Sequence, residues 1–101
     1  MNTMTSGLAP MHPGALLREM ILPALDKPKA EIARLLEVSR QTLYDILGEK
    51  QEVTPTIALR LGKLTGSTPE MWLNMQRNYD LRIIAERDKE LLARIPTLEA
   101  A

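Results

Sequence analysis

Twice in this 101-residue chain a threonine stands directly before a proline, at Thr54-Pro55 and at Thr68-Pro69. Such a pair marks a helix start: the hydroxyl accepts a backbone N–H from the first turn, and proline at the first helical position gives up an N–H that would have had no partner. The run behind Pro55 carries Ile57, Ala58, Leu61 and Leu64 at helical spacing and meets a stop near Gly66. The run behind Pro69 extends to about Ile95, ahead of Pro96, with a break expected near Asp80. Upstream, Pro13 opens a helix over about 13–22 with Leu16, Leu17, Met20 and Ile21 on its apolar side, which Pro23 should end or kink. Ala30, Ile32, Ala33, Leu35 and Leu36 make the stripe of a second helix. Ser39 caps a third, whose inner side is Leu43, Ile46 and Leu47 and whose stop is Gly48. No alternating apolar pattern suggests a strand, so the chain reads as all-α with five helices.

Composition agrees with that palette. Apolar residues make up 45% of the chain, Phe is absent, and Trp occurs once, so the core must be built mainly from Leu, Ile, Ala and Met. The length suits one domain, read as a flexible arm over 1–10, a folded unit over 11–81 and a helical extension over 82–101. Without cysteine there is neither a disulfide framework nor a thiolate metal site. No signal peptide or membrane-length apolar run is visible, and a soluble, cytoplasmic protein is expected. Thirteen basic residues balance thirteen acidic ones. That excludes a general nucleic-acid coat, whose affinity comes from excess positive charge, and restricts any DNA binding to local, well-placed contacts helped by dimerisation.

The segment LEVS joins the second and third helices by a turn of the length a DNA-reading helix-turn-helix requires. With Leu43, Ile46 and Leu47 inward, Arg40, Gln41, Tyr44 and Asp45 point outward. Arg40 can donate two hydrogen bonds to guanine, and Gln41 can pair bidentately with adenine, both from the first turn. Thr42 and the N-terminal backbone amides suit phosphate, Tyr44 suits phosphate or a thymine methyl, and Asp45 could accept from cytosine or orient Arg40. Lys29 and Lys50 are further candidates for phosphate contact. The same face would look no different if it were merely solvated, and Glu37, Glu49 and Glu52 flank it. Periodicity leaves both readings open.

Met71, Trp72, Met75, Tyr79 and Ile83 lie along the fifth helix as core, dimer interface, or both. Leu91, Leu92 and Ile95 form a strip on the tail that could contact a partner or fold back. His12, the single histidine, has no companions for a metal or nucleophile site and reads as a helix-entry residue. With no catalytic constellation and no phosphate-cradling loop, neither an enzyme nor a cofactor or small-molecule substrate is expected.

Residues 31–81, EIARLLEVSRQTLYDILGEKQEVTPTIALRLGKLTGSTPEMWLNMQRNYDL, closely resemble the HigA/VapI family of antitoxins, and HPGALLREMIL resembles that family's opening. The likeness spans Met11 to Leu81 and rests on VSRQT, ALRL, STPEMWLN and NYDL in the family's order. It implies a five-helix domain of the phage-repressor type that forms homodimers and binds a palindromic operator of its own operon. It also implies a partner, a small HigB-type toxin of RelE-like, mRNA-cleaving character. The family's recognition residues fall on Ser39, Arg40, Gln41, Thr42, Tyr44 and Asp45. Three positions depart from the pattern: Glu37 stands for a turn glycine, Pro28 for a capping serine, and Lys29 for glutamine. A toxin-less regulator of the same fold, or an interaction module that no longer binds DNA, are the alternatives.

Overall fold

The computed structural model describes residues 9–100. The arm expected over 1–10 therefore lies, but for its last two residues, outside the described residues. His12 begins the first helix: its Nδ1 accepts the Gly14 N–H at 2.9 Å, and Pro13 takes the first helical position. From there α1 (Pro13–Leu16), a π-helical turn (Leu17–Ile21) and α2 (Leu22–Leu25) run on without interruption. The helix thus continues past Pro23 instead of stopping at about residue 22. In the widened turn the Leu22 N–H bonds back to the Leu17 carbonyl, and Pro23 then falls in the first turn of α2, where a missing donor costs little.

Helix α3 (Lys29–Leu36) ends at Glu37, which adopts left-handed backbone at φ 57°. The Val38 N–H closes the turn on the Ala33 carbonyl at 3.0 Å. The buried stripe of α3 is narrower than expected, comprising Ile32, Ala33 and Leu36, while Ala30 is exposed and Leu35 is 43% exposed. Ser39 caps α4 (Arg40–Leu47) through an Oγ that accepts the Thr42 N–H at 3.0 Å. Leu43, Ile46 and Leu47 are buried, as their spacing requires. Gly48 follows α4 but keeps φ at −84°, and the left-handed residue is Glu49, at φ 60°.

Thr54 and Thr68 cap α5 (Pro55–Thr65) and α6 (Pro69–Arg87), accepting the N–H of Ile57 at 3.3 Å and of Met71 at 3.2 Å. Gly66 ends α5 at φ 71°. Helix α6 passes straight through Asp80, whose carboxylate accepts a 3.0 Å hydrogen bond from Gln76 one turn earlier. The break comes at Asp88, followed by α7 (Lys89–Arg94). Counting the first three segments as one rod, the described residues hold six helices, not five, because the expected fifth divides.

The core gathers Leu17 from the first rod, Ile32, Leu43, Leu61 and Trp72 from α3, α4, α5 and α6, and Val53 from the loop after α4. Trp72 has no exposed surface, and its indole N–H donates to Ser67 Oγ at 2.8 Å. Gln76 is buried beside it and accepts the Val53 N–H at 2.8 Å, tying the loop after α4 to α6. Two buried polar side chains are thus satisfied in place, as burial demands. Less than one turn beyond Gln76 along α6, Tyr79 meets the His12 ring in a T-shaped contact, with centroids 4.9 Å apart.

Glu37 and His12 each give a measurable consequence. Left-handed backbone costs a non-glycine residue about 1–2 kcal/mol, while glycine adds about 0.5–1 kcal/mol of unfolded-chain entropy. Glu37→Gly is therefore expected to stabilise the fold by about 0.5–1 kcal/mol in urea unfolding, and a destabilised variant would contradict this. Burial holds the His12 imidazole below its ordinary 6.5, and Arg18 adds to the lowering, against an opposite pull from Glu49 and Asp80. The folded state prefers neutral His12, so its contribution is complete above pH 6.5 and is lost as pH falls below that value through the depressed folded-state pKa. His12→Asn, which keeps a capping acceptor but does not titrate, should lose less stability between pH 7 and pH 5 than the parent; equal losses would refute the assignment.

Candidate nucleic-acid interface

Helices α3 and α4 form the helix-turn-helix, with Glu37, Val38 and Ser39 between them. The turn is fixed from outside the motif. Arg60 of α5 donates to the carbonyls of Leu36 at 3.4 Å and Glu37 at 2.8 Å, so the last acceptors of α3 are met by a cation where the helix dipole favours one. At the far end of α4, Arg18 Nη1 donates to the Leu47 carbonyl at 2.6 Å and reaches the Glu49 carboxylate at 3.3 Å. Gly14 lets α1 lie against the same end of α4, since a Cβ there would collide with the Ile46 carbonyl. Both ends of the recognition unit are therefore tied to the body. These clamps join residues 29 and 23 positions apart, and no local sequence signal marks them.

On the outer side of α4, Ser39, Arg40 and Gln41 are exposed, Tyr44 is 48% exposed, and Thr42 and Asp45 are half-buried. Lys29 and Lys50 are exposed at the two flanks. Ser39, Arg40, Gln41, Thr42, Tyr44 and Asp45 thus lie on α4 or at its cap, while Lys29 opens α3 and Lys50 follows α4. Ser39 Oγ also donates to Thr42 Oγ1 at 2.9 Å, which holds both hydroxyls in the first turn. Asp45 does not orient Arg40 as expected; its Oδ1 accepts instead from Gln41 Nε2 at 2.8 Å, one helical turn away. Among the described residues Arg40 has no hydrogen-bond or ion-pair partner. Its guanidinium is open to the outside, with the planar donor fork that suits guanine or phosphate.

The flanking glutamates are not equivalent. Glu49 is drawn into the ion pair with Arg18, whereas Glu37 and Glu52 remain exposed. The face therefore carries less free negative charge at its C-terminal end than the sequence suggests.

The residues expected as core or dimer contact separate along α6. Trp72 belongs wholly to the core, Met71, Met75 and Tyr79 are half-buried, and Ile83 is open. Leu81, 60% exposed, and Ile84 line an apolar groove with Val53, Pro55 and Leu73, next to the loop that follows α4. Leu91, Leu92 and Ile95 are exposed on the projecting end. Among the described residues no cluster of His, Asp or Glu could hold a metal ion, and no helix is long and apolar enough to cross a membrane.

No family model matches the chain. Virulence-associated protein I of Dichelobacter nodosus is 39% identical over 80 residues, covering 79% of this chain and 73% of that protein. Antitoxin GraA in complex with its operator superposes with a TM-score of 0.84 at 37% identity, covering 93% of this chain and 96% of that one. The Pseudomonas aeruginosa antitoxin HigA, solved with the higBA promoter, gives a TM-score of 0.83 at 33% identity over 89% and 99% of the two chains. Two of these three carry the name antitoxin, and both were solved with operator or promoter DNA. Shared sequence over most of the chain, carried on the helix-turn-helix body that the capping residues and arginine clamps build, makes this protein a member of the HigA/VapI family of helix-turn-helix regulators.

Proposed function

We propose that this chain is the antitoxin of a type II toxin-antitoxin pair and represses its own operon by reading a palindromic operator as a homodimer. The observation that carries the DNA-reading part is Arg40, exposed beside Gln41 in the first turn of a helix held at both ends and without a partner among the described residues. Side chains on a clamped helix meet base edges without reordering the backbone, which suits a protein that lacks excess positive charge. Arg40 and Gln41 read bases; Ser39, Thr42, Tyr44, Lys29 and Lys50 contact the backbone. The operator-bound relatives support the same assignment.

The homodimer forms on the side of α6 that carries Leu81 and Ile84. These large apolar residues are exposed next to Val53 and Pro55, in the segment that follows the recognition helix, and a dyad there would bring two copies of α4 to the same side of a duplex. Half-site centres then fall about 34–36 Å apart, one turn of the duplex. Ile83 and the half-buried Met75 and Tyr79 border this contact. The toxin partner is of the HigB type, a RelE-like mRNA-cleaving protein, and the antitoxin names carried by relatives support it. The RNA-cleaving chemistry belongs to that partner.

The test is fluorescence anisotropy on duplex from immediately upstream of the gene, titrated across salt, with Arg40→Ala in parallel. The parent should bind with a marked salt dependence, and Arg40→Ala should lose about 1–3 kcal/mol while relaxing specificity at one base pair. Unchanged affinity in the variant would remove Arg40 from base reading. No binding of the parent at low salt would favour an interaction module without DNA function.

A further inference from the structure

The hydrogen bond between Gln41 and Asp45 lies on the face assigned to the operator and pairs two side chains of that face with each other. Gln41 Nε2 donates to Asp45 Oδ1 at 2.8 Å across one helical turn. A carboxylate only accepts, so the bond fixes which end of the carboxamide is which, without the ambiguity that usually attends a glutamine side chain. One N–H is committed to Asp45, and the Oε1 with the remaining N–H stays free. An acceptor beside a single donor is the pattern that pairs with adenine, whose major-groove edge offers the N6 donor and the N7 acceptor.

A free glutamine side chain on a helix surface samples many rotamers, and flipping its carboxamide exchanges acceptor and donor. Ordering it only on binding would cost entropy at each encounter and would let it adapt to other bases. The partner that prevents this is an acid, which faces a polyanion and so works against affinity for any duplex. A carboxylate at this position thus opposes binding in general, and with its Oδ1 engaged by Gln41 it favours binding through what it does to that side chain.

We propose that Asp45 is a positioning residue for base reading: it holds the Gln41 carboxamide in the orientation that accepts adenine, giving up general DNA affinity for discrimination at one base pair. This rests on α4 reading DNA as proposed above. The neighbouring Arg40, which has no such partner among the described residues, keeps its freedom to choose between base and phosphate.

The experiment uses duplexes enriched from a randomised pool by the full-length parent protein, followed by affinities on a panel with each base pair changed in turn. The base pair assigned to Gln41 is the one whose discrimination Gln41→Ala abolishes. At that pair Asp45→Ala should reduce discrimination about threefold to tenfold, while Asp45→Asn, which retains an Oδ1 acceptor but not the charge, should preserve it. Adding Asp45→Ala to Gln41→Ala should change nothing further at that pair. If instead both Asp45 variants shift affinity equally across the whole panel, the residue acts by charge alone and the inference is overturned, although DNA reading stands. If the parent enriches no duplex, the reading of α4 falls and the inference falls with it.

Discussion

The recognition helix depends on a backbone contact it does not control. Gly14 sets α1 against the carbonyl of Ile46, where any side chain would collide, and from that position Arg18 reaches the Leu47 carbonyl and Glu49. An eight-residue helix such as α4 is marginal in isolation. What keeps it formed is Ser39 at its start, the arginine at its end and the buried Leu43, Ile46 and Leu47 between them. Arg60 performs the corresponding task for α3, and Gln76 anchors the loop that leaves α4. The outward face of α4 is left free because the rest of its surface is used to hold it.

This arrangement also bears on the neutral charge of the chain. Two of its thirteen basic residues, Arg18 and Arg60, serve helix ends and not a partner. Recruiting Glu49 into the first of these clamps removes one carboxylate from the flank of the recognition face. An exposed ion pair of this kind adds little stability by itself. Its effect is on the local field that a phosphate backbone would meet. In the proposed dimer, affinity comes from a few directed contacts and from the second copy, a regime in which base pairs count for more than bulk charge.

Local rules were readable in the sequence and distant ones were not. Ser39, Thr54 and Thr68 cap their helices because a hydroxyl and an N–H three residues on need no tertiary help. The all-α class and the inner stripe of α4 follow from spacing in the same way. Pro23 does not end its helix because a π turn just before it accommodates the missing donor, and the break expected near Asp80 comes at Asp88 because Gln76 pairs with Asp80 inside a continuous helix. Gly48 looked like the left-handed stop, but Glu49 took that conformation while its side chain reached Arg18. Leu35 kept helical spacing yet stayed exposed, for the stripe of an eight-residue helix buries only what α4 and α5 cover. At the candidate site the face itself was legible; the Gln41–Asp45 bond and the arginine clamps were not, since they are set by rotamers and by residues far along the chain.

In the proposed dimer two copies of α4 read the major groove from one side of a duplex, held at a fixed distance by the α6 contact. Hydroxyl-radical footprinting of the full-length protein on duplex from upstream of its gene tests this most directly. The account predicts two protected windows related by a dyad, with centres about 10–10.5 base pairs apart on one face of the helix. A single window, or uniform protection that ignores sequence, would contradict it.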